Sequence, residues 1–193
     1  MKTNLKTIVK FDPCDEGITK LMNNLGHICV EENWEDVYNS LTPEQQTKDI
    51  DFKFILKSNG VKDTFWGLCT QPEKIRMLIS ADVVESVLHI YEEKYPNDMR
   101  VRNCIQGIRD YCNGKITKAK LNILKIDAAD AAYDAAAYDA AADTDTYAVY
   151  VVADAAYDAV NATSTVVYAV VNAAYTARKE QWKKNEVILL KYI

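Results

Sequence analysis

A chain of 193 residues can form one large domain, or a domain preceded by a small N-terminal module. Hydrophobic residues make up 49% of it, enough for a core, although much of that share is alanine and tyrosine. The formal net charge of −5 argues against binding through phosphate neutralisation, so neither DNA nor RNA is expected as a partner.

In chain order, alternation of Leu5, Thr7, Val9 and Phe11 with Asn4, Lys6 and Lys10 predicts one short N-terminal strand. Pro13 and Asp15 then open a helix through Ile18, Leu21, Met22 and Leu25, ended by Gly26. Asn33 is placed to cap a short helix carrying Trp34, Val37 and Tyr38. Thr42-Pro43-Glu44-Gln45 has the form of a capping box, with proline in the first turn of a helix expected to stop near Gly60. A second such box, Thr70-Gln71-Pro72-Glu73, precedes a stripe of Ile75, Ile79, Val83, Val87 and Ile90, closed by Tyr95-Pro96. Asp98 caps the next helix, with Val101, Ile105, Ile108 and Cys112 inward and Gly114 at its end. Thr117 caps another, and Ile116 with Leu121 has the spacing of a hydrophobic staple.

That last helix runs into a tract, 126–177, written almost wholly in Ala, Tyr, Asp and Val. It holds eight aspartates and no Lys, Arg, Pro, Gly or Cys, which leaves 20 acids against 23 bases elsewhere. The hexapeptide starting at Asp130 returns at Asp154 and, degraded, at Asn172. Alanine is the best helix former and the smallest side chain that still packs, so the tract reads as closely packed helices. Turn-like clusters at 143–146 and 161–164 divide it into helices over roughly 118–142, 146–161 and 164–184. An alanine face at 128, 131, 135 and 142 allows close helix approach but buries little area per residue, so a homo-oligomer is expected. The fold class expected is all-α, a multi-helix bundle with an Ala-rich repeat tail.

Five cysteines form no CxxC pair and no zinc spacing, and the opening residues lack the apolar run of a signal peptide. Both features fit a reducing, cytoplasmic setting. The best candidate membrane span, Thr146 to Tyr175, carries Asp154 and Asp158 in its middle, which is too costly in a bilayer core. No membrane association, metal or cofactor is expected.

Two groups of side chains could carry a function. Tyr133, Tyr150, Asp154 and Tyr157 belong to the tract, where tyrosine rings could stack on a planar ligand and carboxylates accept its hydrogen bonds. A solvated helix face with rings lying over alanines would look the same. Arg76, Arg100, Arg102 and Arg109, with Arg178 and Lys179, form the basic set, which could fork onto a phosphate or pair with the acidic tract. Like-charged aspartates one turn apart cost a few tenths of a kcal/mol, so the Asp130/Asp134 or Asp154/Asp158 stripe should lie against one of the neighbouring bases. His27 and His89 have no ligand spacing and read as structural. Asp143-Thr144-Asp145 opens like a calcium loop but lacks its glycine and terminal glutamate. No phosphate loop, nucleophile elbow or HExxH is present.

The stretch Tyr91-Glu92-Glu93-Lys94-Tyr95-Pro96-Asn97-Asp98-Met99-Arg100-Val101-Arg102, followed by Ile105 to Tyr111 and Gly114-Lys115-Ile116, resembles a family of small bacterial and phage proteins, the putative immunity proteins. Its Ala-rich tail fits that family, although Tyr and Asp stand where Ala/Arg/His tails are usual. Phe11 to Gly17, Trp34 to Val37 and Phe65-Trp66 resemble the N-terminal module of phage-borne members. The resemblance implies a helical, cytoplasmic, non-enzymatic protein carried by a mobile element, with an N-terminal module over 1–68 and the family domain over 69–193. It transfers no catalytic residue.

The function expected is therefore sequestration, by a phage-type protein, of a nucleotide immune signal or of a host defence or toxin protein. For a nucleotide, Arg100, Arg102 and Arg109 would take the phosphates and tract tyrosines the base. Two rival classes stay open: a nucleotide-directed hydrolase using the clustered carboxylates, and an oligomeric scaffold.

Overall fold

The structure, a computed structural model, describes residues 1–138, 152, 156, 157, 159 and 178–193, without the side chains of 136–138 and 178–182. Among these residues eleven α-helices and one two-stranded ribbon make the fold all-α. Backbone packing divides the chain into two compact units, Met1–Gln71 with Leu190–Ile193, and Pro72–Leu189.

In the first unit β1 (Lys2–Thr3) pairs antiparallel with β2 (Ile50–Asp51), Lys2 opposite Asp51 and Thr3 opposite Ile50. The residues expected to continue a strand instead form α1 (Leu5–Val9). Asn4 decides this locally: its side chain accepts from Thr7 N at 2.8 Å, and the helix buries Leu5 and Ile8, three apart. Over so short a run, alternation and helical spacing cannot be told apart. α2 (Asp15–Asn24) ends before Gly26, whose φ of 89° is one that L side chains rarely adopt. α3 (Trp34–Ser40) follows Asn33, which accepts from Val30 N rather than capping the helix. Trp34 Nε1 donates to Asp15 Oδ1 at 2.8 Å, tying α3 to α2.

The capping box at Thr42 forms, but α4 (Pro43–Thr47) is only five residues long. Pairing of 50–51 with 2–3 interrupts the long helix expected there. Asp51 then accepts from Lys53 N and starts α5 (Phe52–Asn59). After α6 (Val61–Gly67), Leu68–Thr70 make a 3₁₀ turn. Leu5, Ile18, Leu21, Met22, Phe52, Ile55 and Phe65 form this unit's core.

The second unit holds α7 (Glu73–Glu85), α8 (Leu88–Lys94), α9 (Arg100–Cys112), α10 (Lys118–Tyr138) and α11, which spans Arg178–Leu190. The expected second capping box is not made: Thr70 Oγ1 donates to Gly67 O, and Pro72 precedes the helix without a side-chain cap. The single helix expected up to Tyr95 breaks at Val87 (φ −119°, ψ 2°), where Ser86 Oγ donates to the Val83 carbonyl at 2.6 Å. α7 is buried on more than a stripe, with Met77, Ser80, Ala81 and Val84 inside beside Ile79 and Val83.

α9 packs on both α7 and α10. It buries Val101, Cys104, Ile105, Gly107 and Ile108, and ends before Gly114. Thr117 Oγ1 accepts from Lys120 N at 3.2 Å and opens α10, with Leu121 fully buried. Ala128, Ala131, Ala132 and Ala135 are 0–3% exposed, so this alanine face is used inside the chain. Of the expected helices over 146–161 and 164–184, only residues 152, 156, 157 and 159, all helical, and the part from 178 within α11 are described.

Candidate functional site

The seam where α8, α9 and α10 meet gathers a connected set of charged and phenolic groups. Its centre is Asp98, in the turn before α9. Asp98 Oδ1 accepts from the backbone N of Arg100 at 3.0 Å, and Oδ2 takes Arg100 Nη2 at 2.6 Å and the Tyr91 hydroxyl at 2.7 Å. Arg100 then reaches across to α10, where its Nη1 lies 2.8 Å from Asp134 Oδ2. Tyr95 stacks obliquely on Tyr91, ring centroids 5.2 Å apart, and its buried hydroxyl has no hydrogen-bond partner among the described residues. The Arg100 guanidinium, helped by the Arg100 backbone N–H and Tyr91, holds the Asp98 carboxyl down to about 2. Burial, reinforced by the hydrogen bond to Asp98, pushes the Tyr91 phenol up, so it remains a donor. Lys94, Tyr95, Pro96, Asn97 and Asp98 line an open cleft of about 480 Å³ on this turn.

The other two arginines of α9 serve the opposite side of that helix. Arg102 grips Glu92 of α8 with two nitrogens at 2.6 Å each. Arg109 donates to Asp82 at 2.7 Å and to both oxygens of Glu85, at 2.9 and 2.7 Å. That contact, Arg109 first, lowers the Glu85 carboxyl below its ordinary value. Successive residues turn by 100°, so Arg102 and Arg109 share a face of α9 while Arg100 points the other way. The three do not converge into one phosphate fork, and each already holds a carboxylate.

Of the tract residues proposed from the sequence, Tyr133 is 71% exposed on α10, beside the Arg100–Asp134 pair. Tyr157 is half-buried with Lys125 Nζ 4.3 Å from its ring centroid, a cation–π contact. Tyr150 and Asp154 lie outside the described residues, and Arg178 begins α11 with its side chain outside the description. The expectation that an aspartate stripe lies against a neighbouring base is met at Asp134, while Lys118 pairs instead with Glu73 at 3.2 Å. Asp82 and Glu85 were not singled out from the sequence, and Tyr91 and Glu92 were named only within the stretch that carries the resemblance. The signal for the acids was the excess of basic side chains on α9, which required counter-charges on whatever helix packed beside it.

Among the described residues no group of His, Cys, Asp and Glu is arranged to hold a metal ion, and no helix is long and apolar enough to cross a membrane. A family model described as "Imm-5 like putative immunity protein" matches residues 69–187, which include the whole seam. The chain belongs to that family. The part of this immunity-family protein before residue 69 lies outside the match. No curated protein and no solved structure matches the chain significantly.

Proposed function

We propose that this protein is a non-catalytic binding protein that neutralises a protein target, a toxin or a host defence protein, by sequestering it. Membership of an immunity-protein family supports a neutralising role. The observation that carries the choice of target is the closure of Arg100, Arg102 and Arg109 by their own carboxylates. A phosphate would have to displace bidentate ion pairs to reach them, losing much of what it gained. The resemblance of residues 11–17 and 34–37 to the module of phage-borne members supports a phage-type setting, with action in the host cytoplasm.

A second reading keeps a small nucleotide signal as the ligand. It is favoured by the cleft at Lys94–Asp98, whose lining includes Asp98, the partner of Arg100, and Tyr95, whose hydroxyl has no hydrogen-bond partner among the described residues. Isothermal titration against cyclic and ADP-ribose-type nucleotides separates the two. Under the protein-target reading no member gives binding heat, and a toxin or defence enzyme is silenced on stoichiometric complex formation and regains activity on release. Saturable heat lost in Arg100→Gln would transfer the function to the nucleotide. Turnover of any of these compounds, abolished by Asp130→Asn, would overturn both in favour of a hydrolase.

A further inference from the structure

Two surfaces of the 72–189 unit expose large apolar side chains, and their charges are opposite. On α10, Ile123, Ile126 and Tyr133 are 52, 57 and 71% exposed. At 100° per residue they fall on one face of the helix, with Asp130 among them and Asp134 at the edge. Asp130 is exposed and has no ion pair among the described residues, and Asp134 is 69% exposed despite its contact with Arg100. On α11, Lys183, Lys184, Val187 and Ile188, with Ser86 after α7, line an open cleft of about 380 Å³. Val187 is 60% exposed there, and neither exposed lysine has an ion pair among the described residues.

We propose that these two surfaces bind each other between copies: the Ile/Tyr/Asp stripe of α10 on one chain seats in the Val/Lys cleft of α11 on a second. Like-with-like pairing is disfavoured, because it would set Asp130 near carboxylates or Lys183 near ammonium groups, whereas the unlike pairing brings opposite charges around an apolar centre. The alanine face of α10 is not the contact, because Ala128, Ala131 and Ala135 are already covered within the chain. From Ile123 to Tyr133 a helix rises only about 15 Å. Such a seam is small against the roughly 800 Å² per partner of a stable interface. The association is therefore weak, concentration-dependent and strengthened at low ionic strength. It does not depend on what the protein neutralises.

The test is sedimentation velocity of the full chain over a concentration series, with Asp130→Lys and the double variant Lys183→Glu/Lys184→Glu. All three positions are exposed, and circular dichroism confirms that the variants keep their helix content. Wild type should shift to larger species with concentration, and each variant alone should stay monomeric because like charges now meet. Mixing the two variants should restore association, since the new lysine stripe faces the new glutamate cleft. A wild type that stays monomeric throughout overturns the proposal. So do variants that associate like wild type, or a mixture that stays monomeric.

Discussion

Asp98 is the residue on which the seam turns, because one carboxylate satisfies a helix start, a guanidinium and a phenol at once. Its folded carboxyl is depressed to about 2 from an ordinary 3.8, so the unfolded chain takes up a proton first as pH falls. The stabilisation it supplies is complete above pH 4 and drains away as pH approaches 2. Charge-assisted hydrogen bonds of this kind, discounted for partial exposure, are worth about 1–2 kcal/mol. Asp98→Asn should lower the urea midpoint at pH 7 accordingly, and the gap from wild type should close between pH 4 and pH 2. A gap independent of pH would show that Asp98 acts through packing instead.

At the scale of elements, α9 packs against α10 with Gly107 facing Leu121 and Leu124. A Cβ there would stand 2.4 Å from Leu124 Cδ1 and 3.5 Å from Leu121 Cδ1. Glycine inside a helix costs about 0.5–1 kcal/mol relative to alanine, so on propensity alone Gly107→Ala would stabilise the protein. Overpacking typically costs about 1–3 kcal/mol, and it should win, because Leu124 must move from a 2.4 Å contact while its own Cγ and Leu121 Cδ1 stand within 3.6 Å. We expect Gly107→Ala to be destabilising, and a double-mutant cycle with Leu124→Ala to show coupling that recovers part of the loss. Additive effects would mean that the leucine simply swings aside.

For the molecule as a whole, each unit has its own core: Phe52 and Met22 are fully buried in the first, Met77 and Ile108 in the second. A domain with its own core can open on its own. Phe52→Ala removes a fully buried ring, a change that typically costs about 3–5 kcal/mol. Hydrogen exchange should then accelerate through α1, α2, α5 and α6 while α7, α9 and α10 keep their wild-type protection. Acceleration spread evenly over both units would show one cooperative body.

Much of the helix order is local physics and could be read directly. Thr117 caps α10, Asp98 bonds the first turn of α9, and positive-φ glycines close α2, α5 and α9 at Gly26, Gly60 and Gly114. Each depends on residues within a few positions of one another, as does the strong helical bias of the tract. The misread segments depended on distant partners or on competing local bonds. Residues 50–51 leave a helical run because 2–3 pair with them, and Ser86 breaks a continuous stripe by taking a carbonyl the pattern does not show. The candidate site divides in the same way. Charge imbalance led to the expectation that one aspartate stripe lies against a base, and Asp134 meets Arg100 while Asp130 has no ion pair among the described residues. Which arginine faces which acid was settled only by packing: the helical turn sends Arg100 toward α10 and Arg102 with Arg109 toward α8 and α7. Sequence spacing fixes angles around one helix, but only the neighbouring helices decide what stands at the end of each side chain.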